Sequence, residues 1–344
     1  MWRCDTEGVE IAEFDYVLPD DRIAQTPIEP RDVARLLVDR GSDPPEHRHV
    51  RDLPDVLRSG DVLVLNETRV IPARLRLRRA TGGATEVLLL EPWDADRRTW
   101  EALVRPGGKL AVGELLETGG VPLVRMGERT PAGDTFWVEL IGDDDPVVLL
   151  DRYGEMPLPP YISERLGDPE RYQTVFSREP GSAAAPTAGL HFTPALFERL
   201  ADAGIGIATV ELVVGLDTFQ PISTHDPLEH PMHTERFRVP PETADVCRRA
   251  DRVVAVGTTA VRALESSART GESSGRTDLF IHRGFDWQVV DLMMTNFHLP
   301  RTTLLMMIDA FVGSRWRDLY GVALADDYRF LSFGDAMLLD RHAR

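Results

Sequence analysis

Along this chain the hydrophobic positions come in two textures. In the first, short runs rich in apolar residues end in polar loops: 61–65 before Asn66-Glu67-Thr68-Arg69, 210–214 before Gly215-Leu216-Asp217-Thr218-Phe219, 253–256 before Gly257-Thr258-Thr259, and 287–292 before Thr295-Asn296-Phe297-His298. A run of that length without alternation reads as a strand buried on both faces. Each run therefore predicts a buried strand that delivers a polar loop. Helix starts follow some of these loops. Thr193-Pro194 pairs a capping residue with proline at the first helical position, Thr258 is placed to cap a helix with Val261, Leu264 and Ala268 on its apolar face, and Thr302 or Thr303 can cap 304–311. Strand, polar loop and helix in alternation predict an α/β fold, a mixed sheet with flanking helices and its ligand at the carboxyl ends of the strands.

The second texture occupies 74–155. Arg74-Leu75-Arg76-Leu77-Arg78 alternates with period two, as do Trp100, Ala102 and Val104, and glycine pairs at 82–83, 107–108 and 119–120 mark turns. No helical period stands out. Many short strands in so few residues predict a small antiparallel β-barrel inserted into the α/β domain, which then comprises 1–73 and 156–344. The proline-rich segment 156–161 is the return linker. A length of 344 residues agrees with two domains.

Composition narrows the chemistry. The first residues turn acidic at once, without the basic and apolar stretches of a secretory signal, and the apolar run 304–308 is far too short to span a membrane. Cys4 and Cys247 are the only cysteines, too few for a disulfide framework or a cysteine zinc site. A reducing cytoplasm is the expected location. Lys109 is the only lysine among 39 basic residues, and no phosphate loop ending in Gly-Lys-Ser/Thr occurs, which argues against pyridoxal enzymes and P-loop ATPases. A net charge of −17 disfavours general nucleic-acid coating. The arginines Arg69, Arg74, Arg76, Arg78 and Arg79 form an acid-free basic stretch, a candidate polyanion contact or simply a solvated strand face.

The candidate site gathers around 186–193 and 295–300. His191 lies two residues before the capped start at Thr193, where helix amides and dipole favour an anion. His298 precedes another helix start and follows a buried strand. His230, His233 and Glu235 lie close in sequence. Pro231 between the histidines argues against the helix that a zinc pair needs, so a general acid or base at His233 or Glu235 is the better reading and no metal is expected. Thr258 and Thr259 offer hydroxyls and amides. Asp335, beside Gly334, reads first as a turn residue.

Taken together these blocks resemble the S-adenosylmethionine:tRNA ribosyltransferase-isomerase family of queuosine biosynthesis. The resemblance rests on Phe14-Asp15-Tyr16, Ile23-Ala24-Gln25-Thr26-Pro27, Glu29-Pro30-Arg31-Asp32, Leu65-Asn66-Glu67-Thr68-Arg69-Val70-Ile71-Pro72-Ala73-Arg74-Leu75, and Arg171-Tyr172-Gln173-Thr174-Val175. It continues through Pro186-Thr187-Ala188-Gly189-Leu190-His191-Phe192-Thr193, Met232-His233-Thr234-Glu235, Gly257-Thr258-Thr259, Thr295-Asn296-Phe297-His298-Leu299-Pro300 and Tyr328-Arg329-Phe330. It implies transfer and isomerisation of the ribosyl unit of S-adenosylmethionine, a co-substrate and not a resident cofactor, onto 7-aminomethyl-7-deazaguanine in the tRNA anticodon. Adenine and methionine are released. The resemblance implies the α/β domain with a small barrel as well. His191, His233, Glu235 and His298 become the expected catalytic residues, with His191 and the helix after Thr193 holding an anionic part of the co-substrate. Thr187, Gly189, Thr258, Thr259 and Asn296 are the expected co-substrate contacts, and Arg69, Arg74, Arg76 and Arg78 the expected tRNA contacts. No protein partner is implied. The chain departs from the family pattern at Val213 and Asp217, where histidine and glycine are usual, and at Gly108, where lysine is usual. These departures keep two other readings open: a transferase acting on a free deazapurine-like acceptor, and a catalytically silent binding protein of the same fold.

Overall fold

The computed structural model describes residues 10–41, 44–94, 96–107, 110–131, 133–215, 222, 224, 226–230, 232 and 234–342. His233, Asp217 and Gly108 lie outside the described residues. The elements begin with β1 (Arg35–Asp39), β2 (Glu46–His49), α1 (Leu53–Val56), β3 (Asp61–Asn66) and β4 (Thr68–Val70). Next come β5 (Arg74–Arg79), β6 (Ala84–Pro92), β7 (Thr99–Arg105), β8 (Leu115–Thr118), β9 (Val121–Arg129), β10 (Phe136–Leu140) and α2 (Pro146–Tyr153). The remainder contains β11 (Glu179–Ser182), α3 (Pro194–Asp202), β12 (Gly206–Leu212), β13 (Glu235–Arg238), α4 (Pro241–Arg249), β14 (Arg252–Val256) and α5 (Thr258–Thr270). It ends with β15 (Ser274–Thr277), β16 (Leu292–Asn296), α6 (Thr303–Val312), α7 (Arg315–Ala325) and β17 (Ala336–Asp340).

Among the described residues nine strands form one mixed sheet in the order β15-β13-β12-β3-β14-β16-β17-β1-β2. Its centre, β12-β3-β14-β16, is parallel, and β17 joins β16 antiparallel. Central strands must be apolar on both faces, and they are. Val62, Val64, Val253, Ala255 and Met293 pack toward α5, α6 and α7, whereas Leu63, Leu65, Val254, Val256 and Met294 pack toward α1 and α3. This is why the runs at 61–65 and 253–256 carry no polar alternation. The alternating segment forms a closed antiparallel barrel, β10-β7-β6-β5-β8-β9, filled by Leu75, Leu77, Val87, Leu89, Trp100, Val124 and Met126. The mixed sheet with flanking helices and the small barrel match the fold class expected from the pattern.

Three local expectations are corrected. A helix, α2, follows the barrel strands, capped by Asp145 with Pro146 at its first turn, the same signal read correctly at Thr193-Pro194. Thr258 is the first helical residue of α5, and the cap position belongs to Gly257 at φ 88°, which has no side chain to cap with. The strand expected at 287–292 begins only at Leu292. The amides of Gln288, Val289 and Val290 instead donate to the carboxylate of Glu265, each at 3.0 Å, and Glu265 on α5 is fully buried. A carboxylate that collects successive amides fixes the chain in a loop where apolarity alone reads as strand.

Removing that acceptor strands several buried donors at once. Glu265→Ala is expected to lower unfolding free energy by roughly 3 kcal/mol or more, read from the urea midpoint of the full chain. A loss under about 1 kcal/mol would show that water satisfies the amides instead.

Candidate active site

The four central strands run parallel, so β3, β12, β14 and β16 end on one edge, at Asn66, Leu212, Val256 and Asn296. The polar loops they deliver meet there with residues 185–188. Thr187, Gly257, Thr258, Thr259, Asn296 and His298 line a cleft of about 590 Å³, closed on one side by Tyr161 and Ser332. The edge is where an α/β sheet offers loop amides and helix starts to a ligand. Gly257 suits its place because its backbone is at φ 88°; a Cβ there would make only ordinary contacts, 3.5 Å from Ala188 Cβ and 3.6 Å from Thr259 Oγ1.

Asn296 ties the two loops together. Thr187 Oγ1 donates to Asn296 Oδ1 at 2.9 Å, and Asn296 Nδ2 donates to the Asp335 carbonyl and to His191 Nε2, both at 3.3 Å. His191 thus accepts at Nε2 and stands behind the cleft lining. Its ring is buried, and that burial pulls its pKa down to about 4, so it is neutral at physiological pH. At the start of α3 behind it, Thr193 Oγ1 already accepts from Leu196 N at 3.2 Å. A neutral imidazole that accepts from Asn296 adds no positive charge to the anion site expected at His191. Gly189 faces away from the cleft; a Cβ there would meet Phe176 Cζ at 2.8 Å, so it serves close packing. Asp335 holds the amides of Arg35 and Arg329, each at 2.8 Å, the turn role read from its neighbours.

His298 does line the cleft. Its Nε2 lies 3.1 Å from Thr295 Oγ1, its amide donates to Tyr320 Oη at 3.0 Å, and its carbonyl accepts from Tyr16 Oη. Burial lowers its pKa to about 3. Glu235 sits in a larger cleft of about 960 Å³ that adjoins the first at Leu304 and lies between sheet and barrel, with Glu101, Asp134, His230, Met232 and Arg262 in its walls. Its carboxylate accepts from Gly215 N at 3.0 Å and from Arg262 Nη1, an ion pair buried on both sides. Arg262 also donates from Nε to the Leu279 carbonyl at 3.2 Å, and burial brings its pKa down to about 10, still charged at neutral pH. Tyr161 and Arg262 carried no sequence signal of their own; proximity in the fold alone brings them to the clefts.

The arginine stripe is largely engaged. Arg69 pairs with Glu170 at 2.7 Å and Arg76 with Glu155 at 2.8 Å, Arg74 donates to the Leu158 carbonyl at 3.2 Å, and Arg78 to the Gly82 carbonyl at 3.2 Å. A different basic surface lies where barrel and sheet edge meet. Trp93, 72% exposed and edge-on to Trp137, borders a groove of about 1220 Å³ with Arg236, Arg238 and Arg276. Arg236 and Arg276 stand directly opposite on β13 and β15; Glu91 joins that pair by accepting from Arg276 at 2.8 Å, and Arg238 pairs with Glu211 at 2.6 Å. Groove and larger cleft share Glu91 and Val213.

Fold and site together define an α/β protein with an inserted barrel and a ligand cleft at the carboxyl ends of its parallel strands. The chain belongs to the family described as queuosine biosynthesis protein, whose model matches residues 11–339. It is similar to a protein of Moorella thermoacetica named S-adenosylmethionine:tRNA ribosyltransferase-isomerase, 52% identical over 96% of this chain and 100% of the relative. A protein of the same name from Symbiobacterium thermophilum is 51% identical over 96% of this chain and 100% of its own length. Among solved structures, a crystal structure of S-adenosylmethionine tRNA ribosyltransferase from Thermotoga maritima aligns with a TM-score of 0.54 and 38% identity, covering 95% of this chain and 99% of that one.

The histidine burial makes a pH prediction. Folded values of about 4 for His191 and about 3 for His298 lie below the unfolded value, near 6.5, so the unfolded chain binds more protons in between. Each histidine is expected to cost about 1.4 kcal/mol of stability per pH unit as pH falls below about 6.5 toward its folded value. Urea midpoints between pH 7 and pH 5 should therefore decline less steeply in His298→Asn than in the parent chain. Equal slopes would mean that His298 is protonated in the folded state.

Proposed function

We infer that the chain is an S-adenosylmethionine:tRNA ribosyltransferase-isomerase. It transfers the ribosyl unit of S-adenosylmethionine to 7-aminomethyl-7-deazaguanine in the anticodon region of tRNA and rearranges it to the epoxycyclopentanediol, releasing adenine and methionine. The observation that carries this reading is the convergence of 185–188, 257–259 and 295–299 on one cleft, in a chain whose residues 11–339 match the family. In this reading residues 1–73 and 156–344 form the catalytic domain and 74–155 the inserted barrel domain. The co-substrate is consumed, not stored, and the work is done in the cytoplasm, where tRNA is. No helix among the described residues is long and apolar enough to cross a membrane.

The chain's residues divide the labour as follows. Thr187, Thr258, Thr259 and Asn296 surround the co-substrate. His298, neutral and in the cleft wall, is a hydrogen-bond partner for the co-substrate, where a charged ring would repel the sulfonium. Glu235 acts through Arg262 as a positioning residue. The tRNA strand lies along the groove of Trp93, Arg236 and Arg276, with an extruded base directed into the larger cleft through the rim formed by Glu91 and Val213.

Incubation with S-adenosylmethionine and either precursor-bearing tRNA or free deazapurine nucleosides tests the reaction. Adenine, methionine and epoxyqueuosine in tRNA are expected. Turnover on the free nucleoside alone would replace this reading with the small-acceptor enzyme, and ligand binding without adenine release would replace it with the silent protein. The RNA path has its own check. Trp93→Ala should weaken tRNA binding about ten-fold, and Arg236→Ala should reduce the salt slope by about one, whereas Arg76→Ala leaves both nearly unchanged. The reverse order would return the contact to the arginine stripe.

A further inference from the structure

Helix α5 begins without a cap. Gly257 offers no side chain, and the amides of Thr258, Thr259 and Ala260 find no acceptor among the described residues. Such a start carries partial positive charge and free donors. Two further donors on the same helix are also unused. Thr259 Oγ1 and Arg262 Nη2 are buried without a hydrogen-bond partner, in residues only 8% and 7% exposed. Three residues apart, they share one face of the helix. Thr259 lines the smaller cleft and Arg262 the larger, and the clefts adjoin at Leu304. Buried donors left open cost stability, so their clustering at one helix start calls for an acceptor.

We propose that the first turn of α5, with the Thr259 hydroxyl and the Arg262 guanidinium, is a carboxylate subsite that takes the α-carboxylate of the methionine part of S-adenosylmethionine. This rests on the transferase reading above. The surrounding charge selects the ligand. Glu101, Asp134 and Glu235 stand in the same wall as Arg262 and would repel a phosphodiester, whereas a ligand bearing sulfonium and ammonium groups beside its carboxylate is welcomed by both signs. Glu235 then acquires a defined role, holding one side of the guanidinium through Nη1 and leaving Nη2 for the ligand. The expected anion site thus moves from α3, which Thr193 caps, to α5, which no side chain among the described residues caps.

Calorimetric titration of the full chain with S-adenosylmethionine and with its decarboxylated analogue tests this directly. The parent chain should bind the analogue about ten-fold or more weakly, the worth of a charge-assisted hydrogen-bond set. Thr259→Val removes a hydroxyl that has no partner in the unliganded protein, so its Tm should hold or rise while its affinity for S-adenosylmethionine falls about five-fold and its affinity for the analogue stays the same. Arg262→Gln should weaken S-adenosylmethionine selectively in the same way. Equal binding of the two ligands by the parent chain overturns the subsite. So does Thr259→Val weakening both ligands alike, or weakening tRNA instead, which would make the anion a phosphate. Parent-chain production of epoxyqueuosine-tRNA, measured separately, keeps the transferase reading standing if the subsite fails, and its absence sinks that reading whatever the titrations give.

Discussion

The Asn296 carboxamide is the contact on which the rest of the site depends. As the last residue of β16 it is buried where the strand ends and the backbone must turn. Its oxygen accepts from Thr187, and its nitrogen donates to the Asp335 carbonyl and to His191. A buried amide with both ends engaged is strongly directional, because rotating it would turn donors toward donors. Asn66 repeats the device at the end of β3. Its nitrogen donates to the Leu212 carbonyl at 3.0 Å, and its oxygen accepts from Leu212 N at 3.1 Å and Thr68 N at 3.3 Å. Two parallel strands therefore finish in asparagines that fasten neighbouring chain segments.

Burial decides the charge inside that frame. Removing the His191 and His298 rings from water favours their neutral forms, so neither contributes a cationic imidazole to the cleft. Among the described residues the one fixed cation in the walls of the larger cleft, Arg262, is matched by Glu235 and outnumbered by nearby carboxylates. A co-substrate that carries a sulfonium meets no repulsion from these histidines and finds acidic groups farther out. Against a net charge of −17 the groove gathers Arg236, Arg238 and Arg276, the last two paired with Glu211 and Glu91.

Much of this was legible in the sequence because it follows from periodicity. Unbroken apolar runs at 61–65 and 253–256 mark strands covered on both faces, and the alternation in 74–79 marks a barrel wall with one wet side. The loops that meet at the cleft were legible because parallel strands deliver them to one edge. What escaped depends on contacts remote in sequence. Nothing near 287–292 shows that Glu265 claims its amides. Nothing around His191 shows that its ring faces a separate small cavity beside Arg31 and Arg171 while His298, in a similar frame, reaches the cleft. The partners of the arginine stripe escaped for the same reason, since Glu155 and Glu170, which pair with Arg76 and Arg69, lie many residues downstream.

The division into sheet and barrel is itself functional geometry. The larger cleft takes its walls from both, with Glu101 and Asp134 from the barrel and Glu235 and Arg262 from the sheet side. Arg276 on the sheet edge reaches Glu91 of the barrel at 2.8 Å and sets the spacing between them. Val213 lies at the junction, shared by the larger cleft and the groove, with its amide bound to the Arg236 carbonyl at 3.0 Å. Val213 thus places an aliphatic side chain, which binds no proton, at that entrance, so at this position the rim offers shape alone.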